Sequence, residues 1–472
     1  MLKLITSGGF AAACLTASAC AQDARTVTEP VIPPLCTTLT AQLTSVREGP
    51  YDSLAATDES KLDTDRIQSA IDGCGKGKAV ALKTQGAANA FLTGPLSLRS
   101  GVTLLVDKGA MLLASLDPKV FDVTPGSCGI VKPGIKAACK PVVSVDGAHD
   151  AAIMGDGAID GRGGVMIPGL NLSAWDIAER YQGKDRGLFR MVVANHADNF
   201  TLYRITIRNS QNFNVTYNGG DGFTVWGVRV EAPHRVPHSA RPLSHNTDGI
   251  DPGNGSKNIT VTHSYIRTGD DNIAIKGGKG GLTNMTVSHN HFYWGHGMSI
   301  GSETYGGVSK VRVFDLSLDG TDAGIRIKTT GERGGLVEDV RYENVCIRNS
   351  RNPIEISTHY AASTDGNSGS RPPTYRDITL KDVNISGGGQ ILFDGFAQDH
   401  RVGVTLDGVF LSDADKPGVK YVTNAGHADI TIGKGGSNIT PPTDKDSTLS
   451  GTLSKMPNGL PSCEARFVPY PE

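Results

Sequence analysis

A unit of about 26 residues recurs through the middle of this 472-residue chain, and a repeat of that length restricts the possible architectures more than any other feature. Each unit opens on asparagine or another polar residue, continues as an alternating apolar triplet, passes a polar turn and enters a second alternating stretch. Asn199-Phe200-Thr201-Leu202, Asn258-Ile259-Thr260-Val261, Asn284-Met285-Thr286-Val287, Lys310-Val311-Arg312-Val313 and Asp339-Val340-Arg341-Tyr342 are copies of its first half. Ile259 to Met285 and Met285 to Val311 are both steps of 26, and Val311 to Val340 is a step of 29. The period inside each unit is two, so every coil contributes strands. Such coils bury their inward residues only by stacking on neighbours, which predicts an all-β, right-handed parallel β-helix. A β-propeller is the competing solution, but its blades run to about 40 residues with aromatic signatures. Three Trp and 6 % aromatic residues in the whole chain argue against blades.

The solenoid is predicted over residues 61–472, including a C-terminal tail. A short capping helix opens it at Thr64 to Asp72, where Ile67 and Ile71 lie four apart, and Gly73 ends it. Residues 22–60, rich in Pro, Thr and Ser, read as a linker or extended segment. Residues 1–21 have the form of a secretion leader, with Lys3, an apolar and small run through Leu15 to Ala19, and Ala19-Cys20-Ala21 before a cut at Gln22. Ala17-Ser18-Ala19-Cys20 is a degenerate lipoprotein box, the lesser alternative because it lacks leucine three residues before the cysteine. No other apolar run approaches the roughly 20 residues of a membrane span, so a secreted, extracellular or periplasmic monomer is expected.

Six cysteines lie outside the leader: Cys36, Cys74, Cys128, Cys139, Cys346 and Cys463. An oxidising destination makes them disulfide candidates. Proximity in sequence favours Cys36 with Cys74 and Cys128 with Cys139, leaving Cys346 with Cys463; buried free thiols are the alternative. No pair has CxxC zinc spacing, so the cysteines lend a metal reading little weight; no cofactor is expected. The formal net charge of −2 supplies no global attraction for nucleic acid or anionic membrane. A polyanionic ligand would have to meet a local basic patch.

Four segments interrupt the strands with polar groups: Asn246-Thr247-Asp248-Gly249-Ile250-Asp251, Gly269-Asp270-Asp271-Asn272-Ile273-Ala274-Ile275-Lys276, Gly295-His296-Gly297-Met298-Ser299-Ile300-Gly301-Ser302, and Arg326-Ile327-Lys328-Thr329. Asp248, Asp271, His296 and Arg326 are separated by 23, 25 and 30 residues, about one coil each. Groups one coil apart stand about 4.8 Å apart in a stacked solenoid, so the four segments form one ladder. Glycosidic cleavage needs an acid for the leaving oxygen and a base for water. Asp248, Asp270 and Asp271 supply both, and their crowding is expected to raise at least one pKa. Arg326 and Lys328 alternate with buried isoleucines and leave one strand face together, a pair suited to a sugar carboxylate. An unbroken strand over 270–276 would turn Asp271 inward with Ile273, so a bend near Gly269 to Asn272 is expected.

In this order, NTDGID, GDDNIAIK, GHGMSIGS and RIK resemble the signature of glycoside hydrolase family 28, the polygalacturonases, and the similarity extends over roughly residues 60–400, including Gly101-Val102-Thr103-Leu104. The resemblance implies a right-handed parallel β-helix that hydrolyses α-1,4 bonds of polygalacturonate or pectin with inversion and without a metal. It implies that Asp270 is the general acid, that Asp248 and Asp271 hold and deprotonate water, and that His296 tunes the acid. Arg326 and Lys328 would bind substrate carboxylates, Tyr360 would contact the sugar, and Asn246 and Lys276 would support the same groove. Endo action is favoured, with exo-polygalacturonase and rhamnogalacturonan hydrolase as alternatives. A calcium-dependent pectate lyase and a non-catalytic β-helix adhesin are the readings outside the family, and the adhesin has no reason to align the acids with His296 and Arg326.

Overall fold

The computed structural model describes residues 23–49, 51–181, 183–232, 245–360, 370–443, 446–457 and 463–471. The expected leader and both processing readings at Cys20 lie outside these residues. The chain winds as a parallel β-helix. One wall is an 11-stranded sheet running in order from Leu96–Ser97 to Tyr421–Gly426, and a 20-stranded sheet wraps the other faces.

Two corners explain the repeating sequence unit. Asn199, Asn258, Asn284, Lys310, Asp339 and Asp377 all have φ between 52° and 61°. They precede Phe200, Ile259, Met285, Val311, Val340 and Ile378, of which the last five are matched in register coil to coil. At the next corner His263, His289, Asp315, Asn344 and Asp382 take φ between 51° and 55°. Left-handed backbone is tolerated best by glycine, asparagine and aspartate. The polar residue that opens each unit is therefore the one that turns the chain. After it, the residues that point inward stack on their counterparts: Ile259, Met285, Val311, Val340 and Ile378 are no more than 1 % exposed. Ile250, Ile273, Met298, Ile325, Ile354 and Ile391 form the matching stack behind the 11-stranded wall, all fully buried. Full burial of such a side chain is worth roughly 1.5–3 kcal/mol, and loss of one rung exposes both its neighbours.

The helix Thr64–Asp72 closes the N-terminal end, with Ile67 and Ile71 fully buried against the core. Within the segment 22–60, read as a linker or extended segment, the described residues include strands packed onto the solenoid. Leu35–Thr40 pairs in parallel with Lys78–Lys83 and forms the first rung, and Val46–Glu48 with Tyr51–Ser53 makes an antiparallel hairpin. Asp52 of that hairpin binds Arg208. Upstream, Asp23 accepts a hydrogen bond from Thr260 Oγ1 at 2.7 Å, fixing this stretch across the coils. These contacts are polar and the terminal strand is half-exposed, so no hydrophobic period announced them.

Cys36 pairs with Cys74, Cys128 with Cys139, and Cys346 with Cys463. The first fastens the opening strand to the end of the capping helix. The third anchors a C-terminal segment that runs back along the coils, where Tyr293 donates to the Val468 carbonyl and the Tyr470 ring lies 3.9 Å from the Arg267 guanidinium.

Candidate active site

Ile250, Ile273 and Met298 are matched in register on three successive strands of the 11-stranded wall. Two residues before each stand Asp248, Asp271 and His296, so one position per coil becomes one line of functional groups. The line continues upstream: Val215 and Val192 occupy the matched places on the two preceding strands, and two residues before them are Phe213 and Arg190. Downstream, Arg326 and Lys328 lie on Ala323–Lys328, with Arg326 matched to Ser299 on one side and Glu355 on the other.

The expected bend is present, because the strand Ile273–Ile275 begins only after both aspartates. The Gly269 N–H donates to Thr247 Oγ1 and the Gly249 N–H to the Asp271 carbonyl, which tie this bend to the preceding coil. The glycines flanking His296 have steric reasons. Gly295 has φ 62°, and a Cβ there would lie 2.5 Å from the Asp270 carbonyl oxygen; at Gly297, with φ 77°, it would lie 2.1 Å from that of Ala323. Only glycine lets the His296 loop approach the acids this closely.

The three aspartates differ in their partners. Asp271, 1 % exposed, accepts from Lys328 Nζ at 2.8 and 3.1 Å, from Ser299 Oγ at 2.7 Å and from Arg326 Nη1 at 3.4 Å. Burial opposes its charge, but Lys328, Arg326 and Lys276 outweigh burial and keep its carboxyl below the usual carboxylate range. Asp270 is more open, with its side chain 17 % exposed, and its Oδ1 lies 3.0 Å from His296 Nδ1. The Asn246 N–H donates to Asp270 Oδ2 at 3.1 Å. Burial works against ionisation here too, yet the hydrogen bond and charge of His296, with Lys328 and the Asn246 N–H, hold Asp270 well below the usual range. The imidazole is in turn raised: burial disfavours its charge, but the hydrogen bond and charge of Asp270 overcome that. Both shifts favour an ion pair in which His296 carries the proton and Asp270 the negative charge.

The elevation expected among the acids falls elsewhere. Asp248 is 3 % exposed, and its Oδ1 finds no partner among the described residues. Burial first, then the charges of Asp251 and Asp270, push it well above the usual range. Asp251 has two buried oxygens without a partner among the described residues, and burial pushes it up to about 7 against the opposing charge of Lys276. Lys276 Nζ stands 3.8 Å from Asp248 and 3.9 Å from Glu303. With the folded pKa of Asp251 above its unfolded value, the native state binds the extra proton between about pH 4 and 7, and stability falls as pH rises through that window. Asp251→Asn is therefore expected to melt higher than the parent at about pH 8 and alongside it at about pH 4, measured by thermal unfolding at both.

Tyr360 joins the site, its ring centroid 5.3 Å from the Arg326 guanidinium and 5.0 Å from Lys328 Nζ. Asn246 reaches the site through its backbone N–H on Asp270 Oδ2. Lys328 differs most from expectation: it is 3 % exposed and its ammonium is committed to Asp271, and Arg326 Nε is committed to Glu355 at 2.8 Å. Ligand atoms of Asp270, Asp271 and His296 lie within 4.8 Å of one another. The ammonium and guanidinium already on Asp271 supply the positive charge there, which disfavours an added cation. Sequence reasoning gave no role to Asp251, Ser299, Glu355, Phe213 or Arg190. Coil register was the signal that would have found Phe213 and Arg190, which line a cavity of about 180 Å³ with Asn218, Asp251, Lys276 and Glu303.

A parallel β-helix that gathers three carboxyls, an imidazole and a buried cation pair on one wall has the acid and base groups that a glycoside hydrolase needs. Residues 129–428 match the model of glycosyl hydrolases family 28. An endo-polygalacturonase of Pectobacterium carotovorum subsp. carotovorum is 41 % identical over 412 residues, covering 86 % of this chain and 94 % of that protein. A polygalacturonase of Ralstonia nicotianae is 36 % identical, covering 94 % and 92 %. The solved polygalacturonase from Erwinia carotovora ssp. carotovora superposes with a TM-score of 0.69 at 36 % identity, over 90 % of this chain and 99 % of that one. The chain belongs to glycosyl hydrolases family 28.

Proposed function

We propose that this protein hydrolyses α-1,4 bonds between galacturonic acid units of polygalacturonate and pectin, cutting within the polymer and inverting the anomeric centre. The single observation that carries this reading is the Asp248, Asp270, Asp271 and His296 cluster with unequal proton affinities. It is set in a chain 41 % identical to a protein named endo-polygalacturonase. Asp270, the most exposed of the three acids, protonates the leaving oxygen. The proton is drawn from His296 when the sugar arrives, because a polyanionic ligand strips water from Asp270 and adds negative charge, both of which favour its neutral form. Asp271 and Asp248 hold the attacking water on the other side. As the glycosidic C–O bond breaks, a water oxygen bonds the anomeric carbon and its proton passes to a carboxylate. Arg326 and Tyr360 meet the substrate carboxylate and ring, and Lys276 and Arg190 offer positive charge further along the wall.

Three disulfides suit an oxidising destination, and we place the protein outside the cytoplasm, acting as a monomer. Incubation with polygalacturonic acid, followed by product sizing, tests the assignment. New reducing ends and an early spread of oligomers are expected. Unsaturated, ultraviolet-absorbing ends would mean elimination instead, and release of a single small product from the start would mean exo action.

A further inference from the structure

Ser299 belongs to the strand Met298–Gly301 and is fully buried. Its Oγ lies 2.7 Å from Asp271 Oδ1 and 3.3 Å from the His296 carbonyl oxygen. One hydroxyl carries one proton, and the shorter contact to an ionised acceptor takes it. The matched residue on the preceding coil is Ala274, which has no polar group to compete. Three residues before Ser299, His296 meets Asp270. A stretch of four residues thus touches both the acid pair and the neighbouring carboxylate.

The two oxygens of Asp271 are filled unequally. Oδ1 receives Ser299 and Lys328, with Arg326 at longer range, and among the described residues Oδ2 receives Lys328 alone. An ionised carboxylate has about two acceptor positions on each oxygen, so Oδ1 is saturated and Oδ2 keeps one free. Lys328 spans both oxygens and cannot by itself select one. An ammonium on a flexible stem supplies charge, whereas a hydroxyl on a packed strand supplies direction.

We propose that Ser299 is a positioning residue: it pins Asp271 Oδ1, fixes the plane of the carboxylate relative to the Asp270–His296 pair, and leaves Oδ2 as the acceptor that orients the attacking water. This rests on the hydrolytic reading above. The other charged and titratable groups facing Asp271 are Asp248, Asp251, Asp270, His296, Lys276, Arg326 and Lys328, and Ser299→Ala leaves all of them in place.

The test compares parent and Ser299→Ala on polygalacturonate across pH, with thermal unfolding as the check on folding. kcat is expected to fall about tenfold with KM within about twofold, since the hydroxyl orients water and does not touch the sugar. Loss of a donor to the ionised form raises the carboxyl's pKa, so the acidic limb of the pH–rate profile should move to higher pH. A purely packing role would change the melting temperature and leave that limb in place. An active parent whose Ser299→Ala variant keeps the parental profile, or loses KM instead of kcat, overturns the role of Ser299 alone. A parent that releases no reducing ends overturns the assigned reaction, and the role of Ser299 with it.

Discussion

Asp270→Asn is expected to lower turnover on polygalacturonate by roughly 10²–10⁴-fold, the range a positioned general acid contributes, while the protein stays folded. The amide has the shape of the carboxyl but no proton to give at the leaving oxygen. Its effect on stability follows from its donors and acceptors. Asp270 accepts from the Asn246 N–H on Oδ2 and from the Asp271 N–H and His296 on Oδ1. An amide oxygen kept at Oδ1 preserves the second set, and its NH2 then faces the Asn246 N–H. That mismatch costs about 1–3 kcal/mol, too little to unfold a long stacked solenoid. Release of reducing ends measured beside a thermal melt separates the two effects. Turnover within about tenfold of the parent would remove Asp270 from the role of acid.

Much of this fold was legible because stacking writes the same instruction on every coil. A step of 26 residues between Ile259, Met285 and Val311 is visible without coordinates, and so is the spacing that aligns Asp248, Asp271 and His296. The bend at Asp270 was legible as a contradiction: an unbroken strand would have buried Asp271 with Ile273. What stayed hidden depended on which atoms meet across coils. Alternation placed Arg326 and Lys328 on one strand face but could not say that Lys328 reaches back two strands to Asp271, or that Glu355 takes the Arg326 Nε. Crowding of carboxyls implied one raised pKa without saying whose. Donors decide it, since Asp270 has His296 and Asp271 has Lys328, while Asp248 and Asp251 are buried with oxygens left over. The Asp52 contact to Arg208 and the Asp23 contact to Thr260 escaped for a related reason: single polar contacts between distant segments leave no periodic trace.

Lys328→Met is expected to show what the buried ammonium does. If Lys328 gripped a sugar carboxylate, its loss would appear in KM and would weaken polygalacturonate far more than methyl-esterified pectin. Its burial beside Asp271 points to a different outcome, a fall in kcat of about 10²-fold or more on both substrates. Among the described residues the variant would leave Asp271 with Arg326 at 3.4 Å and Ser299 at 2.7 Å as its side-chain hydrogen-bond partners. Breaking one side of a buried ion pair costs about 3–5 kcal/mol because the other charge is left desolvated. The pH dependence gives the sign. In the parent, Asp271 lies below its unfolded pKa, so its contribution to stability is present above that value and is lost as pH falls through the folded pKa. Without Lys328, burial dominates and the folded pKa rises above the unfolded one. The penalty is then greatest at neutral pH and shrinks on acidification as Asp271 takes up a proton. Melting curves of parent and variant should therefore lie far apart at about pH 8 and converge toward about pH 4. A gap that stays constant across that range would mean that Lys328 acts by packing under Tyr360 and not by holding the charge on Asp271.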